Sequence, residues 1–257
     1  RDLTVTRVQT CALPIYNNPS IWTYLALKMM LCRNSSLVFE NRKSFFIYLQ
    51  NMLVSPVIEN NDYGWRMYSR IIKHFPKFFC ECAKEFGAIL ETAVLSRKIV
   101  DVAQRIVSNG MYTLFCDSIF RVMQRLIDSN FLDVSFSMMV VIPTVTVEKA
   151  MPYYEKAITI FNENRFYKDL PLAIVNLTRN FSLDEKLAIY QKILQRAMIE
   201  FVEEYRITCL KAFTQSTPPE LSQPLFIPLF KALVHDCSQR VQATTFVIMS
   251  NIAMSSP

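Results

Sequence analysis

Glycine is nearly absent: 3 residues in 257, at Gly64, Gly87 and Gly110. Sheet-rich folds with many tight turns use more of it, and phosphate-cradling loops need several glycines close together, so isolated glycines exclude a glycine-rich nucleotide site. Histidine is scarce as well, with 2 residues, His74 and His235, which leaves little material for acid–base or metal chemistry. Long apolar runs are missing. The charge-free apolar stretch of most interest, Val134 to Val147, contains Pro143 and falls short of the roughly 20 residues a membrane span requires. No basic start, apolar middle and small-residue cleavage site opens the chain, so no signal peptide is readable. The 7 cysteines are odd in number and show no disulfide-like spacing. Several, including Cys32, Cys116 and Cys209, sit in apolar helical contexts. They read as buried free thiols in a reducing compartment, which implies an intracellular protein of the cytoplasm or nucleus.

What the chain does have is apolar side chain at helical spacing. Hydrophobic residues make up 51% and charged residues 19%, enough to bury a large core under wide apolar helix faces. The spacing predicts helices over Ser20–Arg33, Ser36–Met52, Asp62–Phe75, Pro76–Leu95, Ser96–Ser108 and Met111–Asp128. Asn109-Gly110 serves as a stop signal. Phe131 to Val147 is rich in β-branched residues, and with no partner strand in sight it reads as a buried helix to Ile142. Helices resume at Val147–Asn162, Arg165–Asn180 and Ser182–Thr214. The last opens with Ser182 and Glu185 in capping-box spacing. A loop over Gln215–Gln223 precedes helices at Pro224–Val234 and Ser238–Ala253. The expected fold is all-α, about 12 helices of stacked antiparallel pairs in an α-solenoid.

Two resemblances refine this reading. Residues Arg1 to Ile15, RDLTVTRVQTCALPI, resemble a translated sequencing adaptor, with Arg7 standing where that sequence has glycine. Residues 1–15 are therefore expected to be non-native, and 16–257 a single helical repeat-like domain from a larger protein. Between Leu225 and Ala253, LFIPLFKALVHDCSQRVQATTFVIMSNIA resembles one HEAT or armadillo-like repeat. Pro228 stands in the first helix, followed by Leu229, Leu233 and Val234. Asp236 closes the turn and Val241 opens the second helix. The resemblance implies that Asp236 caps the second helix and Val241 packs under the first. Gln242 departs from the family's basic residue, which leaves its ionic ladder without the usual partner. Tyr153–Phe161 bears a fainter likeness to the second helix of a tetratricopeptide repeat.

Catalysis finds little support. His74, Cys80 and Cys82 supply at most three ligands where zinc wants about four, and two positions apart on a helix Cys80 and Cys82 point roughly 200° from each other. His235 and Cys237 straddle a turn with no orienting third group. Glu203 and Glu204, adjacent, read as a solvated edge. No metal, cofactor or enzymatic activity is expected.

Charge is more informative. Lys and Arg number 16 against 10 Asp and Glu before Phe131, and 12 against 12 after it. Arg66, Arg70 and Lys73 fall within about 60° on a helical wheel, opposite Met67, Tyr68, Ile71, Ile72 and Phe75. Lys77, Arg97, Lys98 and Arg105 extend the basic set. The leading expectation is a non-enzymatic scaffold or adaptor that holds other proteins. The alternative is a nucleic-acid-associated solenoid that binds phosphates through this basic half. Tyr63, Trp65 and Tyr68 lie near these positions and could stack bases, but the first expectation is that they fill the helix–helix seam.

Overall fold

The computed structural model describes residues 42–143, 145–163, 165–213, 224–225, 227–229, 231 and 235–255. The predicted helix at Ser20–Arg33, the adaptor-like segment and the loop at Gln215–Gln223 lie outside them. Among the described residues the chain is helical throughout, with no strand. No described helix is long and apolar enough to cross a membrane. The helices gather into two compact units divided between Phe131 and Leu132.

The first unit holds α1 (Arg42–Val54), α2 (Ile58–His74), α3 (Pro76–Glu81), α4 (Ala83–Thr92), α5 (Lys98–Ser108) and α6 (Tyr112–Asp128). α2 packs on α1 and α5, and α4 on α1 and α6. Its core is aromatic. Phe86 lies between Phe46, Tyr68 and Phe79, with ring centroids at 5.0, 5.5 and 4.6 Å. Buried Tyr68 donates its hydroxyl to the Phe86 carbonyl at 2.8 Å, which satisfies the one polar atom this cluster carries inward. The same burial raises the Tyr68 phenol well above its ordinary pKa.

Two helices of this unit end alike. Gly110 (φ 72°) and Asn130 (φ 59°) take the left-handed conformation after α5 and α6. Met111 N–H bonds the Ile106 carbonyl and Phe131 N–H the Leu126 carbonyl, the six-to-one pairing of a Schellman motif. Asn109-Gly110 thus acts as the predicted stop. A second glycine serves packing: a Cβ on Gly64 would lie 2.9 Å from Leu53 Cδ2 and 3.1 Å from Met52 Cβ on α1. Gly64→Ala is therefore expected to destabilise the unit by about 1–2 kcal/mol, as overpacking does. A urea midpoint equal to wild type would show that α1 moves aside freely.

The second unit holds α7 (Leu132–Val141), α8 (Val147–Asn162), α9 (Leu170–Leu177), α10 (Leu183–Ile199), α11 (Glu203–Lys211) and α12 (Gln239–Ser255). α9 is short and almost wholly buried, and it packs against α7, α8, α10 and α11. Asn176 on α9 donates to the Met139 and Ile142 carbonyls at 2.6 and 2.9 Å, so it caps the end of α7 that Pro143 interrupts. α7 occupies the stretch where the sequence left strand and helix in competition. The Ser182–Glu185 capping box forms as expected. The Ser182 hydroxyl and then its backbone N–H hold the Glu185 carboxyl below its ordinary 4.5. A carboxylate with a lowered pKa stabilises the fold above its unfolded pKa, and that contribution fades as pH falls through the lowered value. The Glu185 carboxyl signal in an NMR titration should therefore move at lower pH than an unbonded glutamate, and Ser182→Ala should bring it back.

The structure corrects the sequence reading in several places. The predicted Pro76–Leu95 helix breaks at Cys82, whose φ of −109° and ψ of 31° leave the helical region. The predicted Ser182–Thr214 helix breaks over Glu200–Val202, where extended backbone intervenes. At this break Met198, Phe201 and Val202 are exposed, Phe201 at 96%. Leu114 on α6 is exposed as well. The predicted Arg165–Asn180 helix is confined to α9.

Candidate functional site

α2 is cleanly two-sided. Met67, Tyr68, Ile71 and Ile72 are buried, while Arg66, Arg70 and Lys73 are exposed. Because α2 packs on α5, two turns of its polar edge face a polar edge of that helix. Between them lies a groove of about 520 Å³. Arg66 and Arg70 line it from α2, and Lys98 and Arg105 from α5, together with the carboxylates Asp62 and Asp101. Four cations against two carboxylates leave a formal excess of two positive charges. Lys98 pairs with Asp62, which ties the two helices together at one end. The Arg66 guanidinium sits 5.9 Å from the Tyr63 ring centroid. Arg70 and Arg105 reach no carboxylate among the described residues.

Four of the seven basic residues picked out from sequence are thus brought together, and three are not. Lys73, Lys77 and Arg97 lie outside the groove lining. Of the aromatic residues, two lie in the helix–helix seam as expected. Trp65 lines the groove but is only 3% exposed, and Tyr68 is fully buried. Neither offers a ring face on which a base can stack. The Trp65 indole N–H is buried and meets no acceptor among the described residues.

In the second unit the repeat-like positions sit around a buried ion pair. Arg206 on α11 and Asp236 are each 11% exposed, with Arg206 Nε 3.0 Å from Asp236 Oδ2 at ion-pair rather than hydrogen-bond geometry. Arg206 also donates to Asp236 Oδ1 at 3.1 Å and to the Glu200 and Phe201 carbonyls. Asp236 does not cap α12 itself. The Ser238 hydroxyl accepts the Val241 N–H at 3.3 Å, and Asp236 Oδ1 accepts the Ser238 N–H at 2.8 Å. Val241 is buried and Pro228 half-buried. Leu233 and Val234 lie outside the described residues. Gln242 donates to the Asp236 carbonyl at 2.7 Å. Asp236 takes its basic partner from Arg206, thirty residues earlier.

Two further features were missed by sequence reasoning. Arg196, about one helix turn before the break, pairs with Glu200 at 3.0 Å and stacks over Tyr205 and Phe161. Their spacing of four residues carried a signal. Glu203 and Glu204, rather than forming only a solvated edge, both reach Arg240 Nη1 at 3.0 and 2.7 Å. Arg206 with Asp236 had no local signal at all.

Cys82 and Cys209 are buried, and burial pushes the Cys209 thiol up to about 12. Cys116 is half-buried and donates to the Tyr112 hydroxyl at 3.4 Å. His235 and Cys237 are exposed beside a cavity of about 190 Å³ next to Asp236. No group of three or more His, Cys, Asp or Glu is placed to hold a metal ion among the described residues. No family model, curated protein or solved structure matches the chain.

Proposed function

We propose that the chain is a non-enzymatic scaffold segment of an intracellular helical-repeat protein, built of stacked α-solenoid helix pairs, that holds a partner protein against its helix faces. The observation that carries this reading is the α2–α5 groove: a polar, cation-rich channel built from the outer edges of two packed helices, in which Arg70 and Arg105 reach no carboxylate among the described residues. Net positive charge presented on two packed helices suits recognition, because little backbone order remains to be imposed on binding. The ion-paired turn at Asp236 suits the HEAT-like reading of Leu225–Ala253, with Arg206 in the role of the ladder's basic member.

The second reading, phosphate binding by nucleic acid, is favoured by one fact: Arg66, Arg70, Lys98 and Arg105 share a groove. Two carboxylates among them, and buried rather than presented aromatics, weigh against it. Gel-shift titration with generic DNA and RNA oligonucleotides at about 50 and 200 mM salt separates the two. The scaffold reading predicts binding no tighter than about 10⁻⁴ M at the higher salt, the weak end of non-specific association. Micromolar binding with a steep salt slope would put nucleic acid first.

A further inference from the structure

We infer that the α2–α5 groove receives an extended acidic segment of the partner, with carboxylates on alternate residues opposing Arg66 and Arg70 and a further one reaching Arg105. This deepens the scaffold reading and rests on it.

Spacing is the first argument. Arg66 and Arg70 are four residues apart on one helix, which sets their Cα atoms about 6 Å apart along its axis. In an extended strand, side chains two residues apart point the same way at about 6.6 Å. A Glu-x-Glu segment laid along α2 therefore presents carboxylates at nearly the pitch of these arginines. A helix would instead offer carboxylates in i, i+4 spacing, but a groove of about 520 Å³ between two packed helices favours the slimmer extended chain.

The second argument is what each cation already holds. Lys98 is committed to Asp62 and so closes one end of the groove. Arg70 and Arg105 have no carboxylate partner among the described residues, and each can grip a carboxylate through two N–H groups. Asp101, one turn before Arg105 on α5, repels a uniform polyanion but tolerates a peptide whose intervening residues are neutral or basic. Nucleic acid cannot make that adjustment, since every nucleotide carries its charge. It also finds no exposed indole or phenol ring at Trp65 or Tyr68 to stack on.

The test uses the full chain and a fluorescein-labelled peptide of about nine residues alternating glutamate and serine, long enough to span roughly 30 Å extended. A peptide of the same composition with its glutamates consecutive serves as comparison, and a single-stranded oligonucleotide as a third probe. Fluorescence anisotropy should show saturable binding of the alternating peptide, several-fold tighter than the consecutive one. Arg70→Glu with Arg105→Glu should weaken it at least about ten-fold, the loss of two charge-assisted pairs. Arg70→Lys with Arg105→Lys should give an intermediate loss, because charge remains but the bidentate fork does not. Lys73→Glu with Lys77→Glu, outside the groove, should change affinity less than about two-fold. These side chains are exposed, and a helical circular dichroism spectrum confirms that the variants fold.

Equal loss from the Lys73/Lys77 pair, or no preference between the two peptides, would overturn the groove assignment. Failure of both peptides and of the oligonucleotide would also overturn it, yet leave a scaffold acting through another face. Tight oligonucleotide binding lost in the Arg70/Arg105 variant would overturn both this inference and the scaffold reading.

Discussion

Phe86→Ala is expected to cost the first unit about 4 kcal/mol. Phe86 is fully buried on α4 and its ring meets Phe46, Tyr68 and Phe79 at close range, with Phe78 at 5.7 Å. Truncation removes the transfer free energy of a phenyl ring and leaves a cavity whose walls are other rings. These are too large to swing into the space, so relaxation recovers little, and large-to-small aromatic changes in such cores cost about 3–5 kcal/mol. The edge-to-face contacts with Phe46 and Tyr68 add about 0.5–1.5 kcal/mol beyond area burial. Urea unfolding followed by circular dichroism measures the loss. The matched control is Leu114→Ala: Leu114 is 53% exposed, and its loss should stay within about 0.5 kcal/mol. A Phe86→Ala cost near that of Leu114→Ala would mean that the aromatic cluster is not the core of this unit.

Asp236→Ala is expected to destabilise the second unit by about 3 kcal/mol. Removing one member of a buried pair strands the other charge, a loss of roughly 3–5 kcal/mol. The lower end applies because Arg206 keeps the Glu200 and Phe201 carbonyls at 3.0 and 3.2 Å. The Ser238 N–H also loses its acceptor at the start of α12. Adding Arg206→Met to Asp236→Ala should restore part of the stability, since no unpaired charge is then buried. If the double variant is as unstable as the sum of the singles, the two residues do not act as a pair.

Much of the helical content was legible because its cause is local. The 3.6-residue period of Met67, Tyr68, Ile71 and Ile72 placed α2, and the Ser182–Glu185 box and the Asn109-Gly110 stop marked ends whose hydrogen bonds are made by neighbours in sequence. Where helices break inside an apolar run, the local signal fails. Cys82 and Glu200–Val202 carry neither proline nor glycine, and the turns there are imposed by packing on other helices. The same holds for the exposure of Phe201 and Leu114, since a helical period gives a face but not whether another element covers it.

The candidate site divides the same way. That Arg66 and Arg70 share a face follows from spacing on one helix. That Lys98 and Arg105 join them while Arg97 and Lys73 do not depends on how α5 lies against α2, which no pattern within either helix specifies. Arg206 and Asp236 meet only because α11 and the turn before α12 are neighbours in space. Pairing across thirty residues leaves no trace in a single sequence.

Trp65 gives the most direct test of the claim that the α2–α5 groove is where a partner binds. The chain has 2 tryptophans, Trp22 and Trp65, so Trp22→Phe leaves one indole N–H signal in a nitrogen–proton NMR spectrum, at the groove wall. Titrating the alternating acidic peptide into that variant should shift the Trp65 signal along a saturable curve with the midpoint seen by anisotropy, and the Arg70→Glu/Arg105→Glu variant should abolish the shift. A peptide that binds by anisotropy while the Trp65 signal stays fixed would place the binding surface elsewhere and contradict the account.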